Sequence, residues 1–559
     1  MRAPRRGAVA LLAAAALALT ACAPALPPSV IADSSVTVGW EGQLTSFNAA
    51  TDPTAANRDI AAATRSAFGH IVDGEVVPDE SFGTAKIVKE DAFTVRYDLK
   101  EPLWSDGIPL DAADLVLGWA ASVGLLAKDG PTDAALKAER PKVDEFARAI
   151  DVTFPAPTIS WQTAIGADVP AHTVGMRAFD LDDPMEAKQA VIRAVLDRDT
   201  TALAAVSDVW NSDFALTDGE LSPSVALSSG PYVVSKVADE GASVTLTPNP
   251  QYRGAAVPQI ADVTLVPRGD DPLVAVGKSL DILSFTPTPA DRTPVKERER
   301  RDFAVQTTND GTMWTVLLST DAVFTQRNAR AAFLRAIPAD DMVAAGAGEW
   351  SQSYPKTTSM VTAPGSRAFE VVTEDSGFAK TIGTPADDAS VDRAAAGVRG
   401  GARVCVLYDR KSEFAKGAFT ALKAGVAEAG WNAVDCATDD LDAAQKGSGW
   451  DAVIRRVRVP QTPGQIASQW GSKGSSSLLG QADPARDELI ATLQQTVDVY
   501  AARDLLAKIE STIVSAAVAR PLAAVPRLTI SAPRVTGVTV RDGDDAPVLS
   551  GVSGWTPAG

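Results

Sequence analysis

Residues 93–114, FTVRYDLKEPLWSDGIPLDAAD, prescribe a strand, a turn and a helix in one short stretch. Phe93, Val95, Tyr97 and Leu99 alternate with polar residues, which places them on one face of a half-buried strand. Asp106-Gly107 supplies a turn, because glycine takes positive φ without steric cost. Asp111 is positioned to cap a helix that carries Asp114 in its first turn, and Trp104 to anchor the turn against the protein. The same alternation of element types recurs along the chain. Residues 36–40 read as an opening strand, and residues 243–247 and 262–267 as a strand pair separated by a turn-rich segment. Asp483-Pro484 reads as an N-cap and first helical residue. Leu489, Leu493, Val497, Tyr500, Leu505, Ile509 and Ile513 then hold one helical face until Pro521 stops the pattern. Residues 384–401, rich in Ala, Asp and Gly, read as a connector. This alternation of strands and helices is that of an α/β protein.

A chain of 559 residues accommodates two to four domains or lobes, at about 100–200 residues each. The 45% hydrophobic and 22% charged content is globular. A net charge of −18 argues against nucleic acid as a partner.

Arg2, Arg5 and Arg6 precede an uncharged apolar run over residues 9–19, which ends in Leu19-Thr20-Ala21-Cys22. This pattern is that of a secretory signal peptide over residues 1–21, too short to span a bilayer. The Leu-Thr-Ala-Cys ending resembles the bacterial lipobox, which implies lipidation of Cys22. More than one acyl chain, palmitate among them, makes such an anchor stable. Residues 22–35, rich in Ala, Pro and Ser, would be a flexible tether. The expected location is the extracytoplasmic face of the cell membrane, with contact through the lipid alone.

Cys405 and Cys436 remain. They lie in two apolar runs flanking a helical stretch, as expected of neighbouring parallel strands in a βαβ unit. They form either a disulfide or two buried thiols. The only histidines, His70 and His172, are far apart, and no HExxH or Cys-x-x-Cys occurs, so no metal site or cofactor is expected. No GxSxG elbow, P-loop or GxGxxG occurs, and no nucleophile–base pair can be assembled, so the protein is not expected to be an enzyme. Among eleven tryptophans, several are candidates for a ligand cleft, although core packing accounts for most buried Trp.

The 93–114 segment resembles a signature of the dipeptide/oligopeptide-type (family 5) extracellular solute-binding proteins of ABC importers, in which Trp-Ser/Thr-Asp-Gly links a strand to a helix opening Ala-x-Asp. Further matches follow in family order. They are Ser229-Gly230-Pro231-Tyr232, the Asn249 to Tyr252 turn, Asp281-Ile282, the Arg-x-Ala helix over residues 327–337, and Trp450-Asp451. The resemblance implies a class II periplasmic-binding-protein-like fold: two hinged lobes plus an inserted third domain. Residues 36–75, 222–305 and 525–559 would form lobe I, residues 76–221 the inserted domain, and residues 306–524 lobe II. It further implies a monomeric, lipid-tethered receptor that captures peptides or a peptide-sized solute between its lobes and delivers it to an ABC permease complex. The implied cleft residues are Trp40, Phe47 and Asn48 (with Ser46) after the first strand, and Trp314, Trp350, Tyr354, Arg458 and Trp470 in lobe II.

Two departures qualify this. Pro338 stands where the family helix ends in Asp. The segment Arg455-Arg456-Val457-Arg458 lacks the carboxylate that pairs with a peptide α-ammonium in many members. These arginines read as a solvated face, the alternative being contact with an anionic group. The departures also leave room for a second function seen among actinobacterial lipoproteins of this fold: binding a cell-envelope glycolipid in envelope biosynthesis instead of import.

Overall fold

The computed structural model describes residues 27–558, without residues 73, 145–147, 218, 544 and 545. The signal peptide, Cys22 and the first residues of the tether lie outside the described residues. Residues 31–35, expected in the tether, instead begin the first strand, Ile31–Trp40. The Ser34 hydroxyl explains this early start: it donates to the Ile31 carbonyl and accepts from Ala261 N at 2.9 Å, fixing the strand across a register shift.

A ten-stranded mixed sheet forms the frame. One half runs Ile282–Phe285, Ile31–Trp40, Ile260–Pro267, Ser243–Pro248, Tyr232–Ala238. The other runs Trp431–Asp435, Ala402–Leu407, Ala452–Arg458. Between them lie two long antiparallel strands, Ala304–Leu318 and Ala519–Ser531, which belong to both halves. Their register breaks between Asn309 and Met313, where Asp310 and Gly311 (φ 82°) interrupt the ladder. On one side of the break Ala304–Leu318 pairs only with Ala519–Ser531, and on the other it also pairs with Ala452–Arg458.

A separate four-stranded antiparallel sheet, centred on Thr94–Leu99 and Ala149–Thr153, carries the inserted region. Its core is continuous with that of the first half: Val36, Val38 and Tyr232 belong to the same buried cluster as Val95, Tyr97 and Trp119. The expected boundary between residues 75 and 76 falls inside a hairpin, since Gly69–Val72 pairs with Glu75–Pro78. The other half of the large sheet is sandwiched between two further cores, one containing Phe333, Val406 and Trp431, the other Val453, Ile509 and Ile513.

The segment read as one long helix is two, Pro484–Gln494 and Val499–Ala516. Asp483 caps the first through Arg486 N, and Asp498 starts the second through Ala501 N. Leu493, Ile509 and Ile513 are buried as the spacing expects, but Tyr500, placed on the same face, is 74% exposed at the start of the second helix. Ala517, in the left-handed region at φ 52°, ends the second helix. Pro521 therefore lies inside a strand, next to a register shift that relieves its missing N–H. The presumed connector 384–401 contains a short helix, Ala389–Ala395, capped by Asp388. Cys405 and Cys436 form a disulfide, with Cα atoms 5.7 Å apart, at the edge where Ala402–Leu407 and Trp431–Asp435 run parallel.

Candidate functional site

The sequence motifs build the scaffold. Trp104 is fully buried, and its indole N–H donates to Asp114 Oδ1 at 3.1 Å. Asp111 and Asp114 form a reciprocal capping box on the helix Ala112–Ser122. Lys188, also buried, lies 3.0 Å from Asp111 and 3.6 Å from Asp114. Asp281 is fully buried, accepts from Thr37 N at 2.8 Å and pairs with Arg534, tying two neighbouring strands to the C-terminal segment. Asn249 Nδ2 donates to the Gly230 carbonyl at 2.9 Å, and Asp451 accepts from Cys405 N at 2.7 Å. Each of these side chains is spent on holding strands and turns.

The site lies where the two halves of the sheet meet. A cavity of about 280 Å³ opens beside the register break, and both halves contribute charged residues to it. Asp59 comes from the helix Ala55–Thr64, and Arg268 follows the strand Ile260–Pro267. Asp310 sits in the break itself, Arg527 on the returning strand, and Arg456 on the strand Ala452–Arg458. Arg456 donates to Asp310 and Thr312. Arg268 pairs with Glu41 at 2.8 Å, while its buried Nε finds no acceptor among the described residues. Arg527 donates to the carbonyls of Ala546, at 3.1 Å, and Gly543, at 2.6 Å.

Burial raises the Asp59 carboxyl above its ordinary pKa, against the hydrogen bond from Trp40 and the charges of Arg527 and Arg58. Burial likewise raises Asp310, against the opposing charge of Arg456. Burial lowers Arg268, partly offset by Glu41. These are the shifts expected where charges are gathered away from water.

A second cavity, about 210 Å³, lies further along the same boundary. It is more apolar, with Val76, Trp161, Val361, Pro460, Ile466 and Leu506 in its wall. The chain leaving Arg456 supplies its Pro460 and Gln461. Contacts cross the boundary here. Ile159 N donates to the Gln494 carbonyl at 3.0 Å, and Glu75 accepts from Arg503 and lies 3.7 Å from Arg367.

The structure distributes the sequence-derived candidates unevenly. Trp40 borders the charged cavity, its Nε1 donating to Asp59 Oδ2 at 2.8 Å. Trp314 is the strand partner of Arg456 and stacks on Phe414 at 4.3 Å, and Tyr354 stacks on the same ring at 5.4 Å. Trp314 lies within the long strand Ala304–Leu318. Phe47 and Asn48 are buried elsewhere in the first half, where Asn48 Nδ2 donates to the Trp210 carbonyl at 2.9 Å and Ser46 Oγ to Phe214 O at 3.2 Å. Trp350 donates to Thr288 O at 2.7 Å under the Arg292 guanidinium. Trp470 is buried beneath Arg486. Arg458 is exposed at the end of its strand. Sequence reading missed Asp59, Arg268, Asp310 and Arg527. Only the Arg455 to Arg458 run hinted at them, through Arg456. Arg455 turns away to Gln445 and Asp442.

A family model described as bacterial extracellular solute-binding proteins, family 5 Middle, matches residues 82–389, more than half of the chain. The chain belongs to this family. Structural likeness agrees over nearly the whole length. A periplasmic EDTA-binding protein, EppA, superposes with a TM-score of 0.74 at 18% identity, covering 96% of this chain and 98% of that one. The oligopeptide-binding protein AppA from Bacillus subtilis, solved with a nonapeptide, gives 0.61 at 14% identity, covering 94% and 99%. In sequence, an uncharacterized lipoprotein of Mycobacterium tuberculosis (strain ATCC 25618 / H37Rv) is 28% identical over 275 residues, 46% of this chain. That match spans 45% of the relative's own length. The two-lobed fold with its inserted region is thus the family 5 binding-protein fold, and the charged cavity lies between its lobes. Among the described residues no helix is long and apolar enough to cross a membrane, and no cluster of three or more His, Cys, Asp or Glu is placed to hold a metal ion.

Proposed function

We propose that this protein is an extracytoplasmic receptor, tethered through lipid on Cys22, that captures a solute between its lobes and delivers it to an ABC permease complex. The observation that carries the reading is the pair of strands Ala304–Leu318 and Ala519–Ser531, shared by both lobes and broken in register beside a charged cavity. Two paired strands that pass from one half of the sheet to the other, with a register break between Asn309 and Met313, are suited to act as a hinge, and a hinge closing on a solute is how such a fold signals occupancy without covalent chemistry. In this reading Asp310 and Gly311 mark the hinge, lobe I and the inserted region close on lobe II, and the receptor acts as a monomer. Trp40, Trp314 and Tyr354 belong to the walls or supports of the cleft.

Family members of known structure serve different solutes, since one neighbour is named for EDTA and another holds a nonapeptide. The fold therefore does not choose peptide over other cargo. The envelope-glycolipid alternative gains no support from the family match. Native mass spectrometry of the purified chain, before and after denaturing extraction, tests the proposal. A stoichiometric small solute released on unfolding supports it. A chain that carries none, and binds nothing from growth medium, rejects it.

A further inference from the structure

We propose that a third cavity, lying between lobe I and the inserted region, is a binding site for an organic ammonium compound whose cationic group sits on the Asp168 carboxylate. The inference stands apart from the reading of the charged inter-lobe cavity, and neither depends on the other. Three observations carry it.

The first is space. The cavity holds about 550 Å³, the size of a site that encloses a small organic molecule. Residues 50, 51 and 67–69 of lobe I wall one side. The helix Ala112–Ser122, the segment 163–168 and the end of the helix Thr200–Ser212 wall the other. Gly118 lets the first of these helices lie against the segment, since a Cβ there would stand 1.9 Å from the Gly166 carbonyl oxygen. The second is Asp168, the only ionisable side chain in the wall. It is half-buried, and among the described residues no donor reaches its carboxylate. Arg65 donates instead to the backbone carbonyls of Asp168, Thr64, Leu227 and Phe47. Burial raises the Asp168 carboxyl above its ordinary range, against the charge of Arg65. The third is how the other polar side chains of the wall are used. Thr51 Oγ1 donates to the Asn48 carbonyl at 3.1 Å and Ser122 Oγ to the Trp119 carbonyl at 2.9 Å. Asn211 Nδ2 donates to the carbonyls of Leu126, at 2.9 Å, and Ser207, at 2.7 Å. Their protons are spent on the protein, so these three side chains have only lone pairs left to offer.

A carboxylate among spare acceptors calls for a cation that carries several N–H donors. An anion would meet the Asp168 charge and no basic side chain in the wall. A divalent metal ion gathers six or more oxygen ligands, with more than one carboxylate in a tight site, and here there is one. A carbon skeleton fits better. Ala121 and Ala164 leave room for it, and Phe68 and Trp210 give it apolar and aromatic surface, which also suits a cationic head.

The test is titration calorimetry on the full-length chain purified in detergent. The probes are benzylamine, tyramine and putrescine, each beside the compound with hydroxyl in place of its amino groups, and the chloride salts of magnesium and calcium. At least one amine is expected to bind, about tenfold or more tighter than its hydroxyl counterpart. Asp168→Asn should raise the dissociation constant of that amine by about tenfold or more. Ala67 is exposed at the edge of the cavity, and Ala67→Trp should weaken binding by narrowing the space without touching the carboxylate. This second variant decides the matter should Asp168→Asn fail to fold. No binding of any amine overturns the proposal, as does equal binding of the hydroxyl counterparts. Amine binding that neither variant alters overturns the assignment to this cavity. Magnesium or calcium binding that depends on Asp168, in place of amine binding, overturns the choice of an ammonium. Each of these failures leaves solute capture between the lobes standing, because no residue of lobe II lines this cavity.

Discussion

The backbone N–H of Ile159, in the inserted region, donates to the carbonyl of Gln494 in lobe II at 3.0 Å, so the two sides of the cleft touch directly. Beside it, Glu75 accepts from Arg503 across the same boundary. These contacts hold the two sides together in the arrangement described. Glu75→Gln should loosen it. The pair is partly exposed, with Glu75 at 38%, and is worth at most about 1 kcal/mol. The expected outcome is a solute dissociation constant raised by no more than about fivefold, with the melting point of the solute-free chain unchanged. Titration calorimetry on both forms checks this.

Glu510 gives a pH dependence. It is fully buried, and burial pushes its carboxyl up to about 7, against hydrogen bonds from Ser359, Met360 N and Val361 N. An unfolded glutamate titrates near 4.5. Between these values the folded state holds the proton more tightly than the unfolded state does. This contribution to stability is therefore complete below about 4.5 and is lost as pH rises through about 7. The loss is on the order of 3 kcal/mol. Urea unfolding from pH 5 to pH 8 should show this decline, and Glu510→Gln should flatten it.

Lys188 is held between Asp111 and Asp114 beneath the turn that carries Trp104. Removing its charge leaves carboxylates without their cation in a dry environment. Lys188→Met is expected to cost about 3–5 kcal/mol in urea unfolding. Solute affinity of the fraction that remains folded should not change, since the network lies away from the lobe boundary.

Reduction of Cys405–Cys436 releases a loop of 31 residues. The chain-entropy model gives a loss of about 3–4 kcal/mol for a loop of that length. Differential scanning calorimetry with and without reductant should show lobe II melting earlier, with lobe I little affected.

Local grammar made much of the scaffold legible. Asp111, Asp114 and Trp104 lie within a few residues of one another, and capping, turn and anchor follow from spacing alone. The helix pair before Ala517 was legible in its apolar face but not in its break, because Asp498 is one capping residue among many acidic ones. The cleft was largely illegible. Arg268, Asp310, Arg456 and Arg527 come from four places in the chain and converge only because their strands are assembled into one sheet. Nothing in the identity of Arg527 distinguishes it from an arginine on a solvated face. The resemblance places Trp350, Trp470 and Asn48 in the cleft by their position along the chain, and the structure gives them partners away from the charged cavity.

The two lobes are expected to close on a solute about the break at Asp310 and Gly311. Small-angle X-ray scattering on residues 27–559 tests it directly. The chain is unfolded, dialysed free of solute, refolded, and measured before and after the solute extracted from it is returned. The expected result is a radius of gyration that falls on return of the solute. A radius that stays constant, while equilibrium dialysis shows the solute bound, would contradict hinged capture.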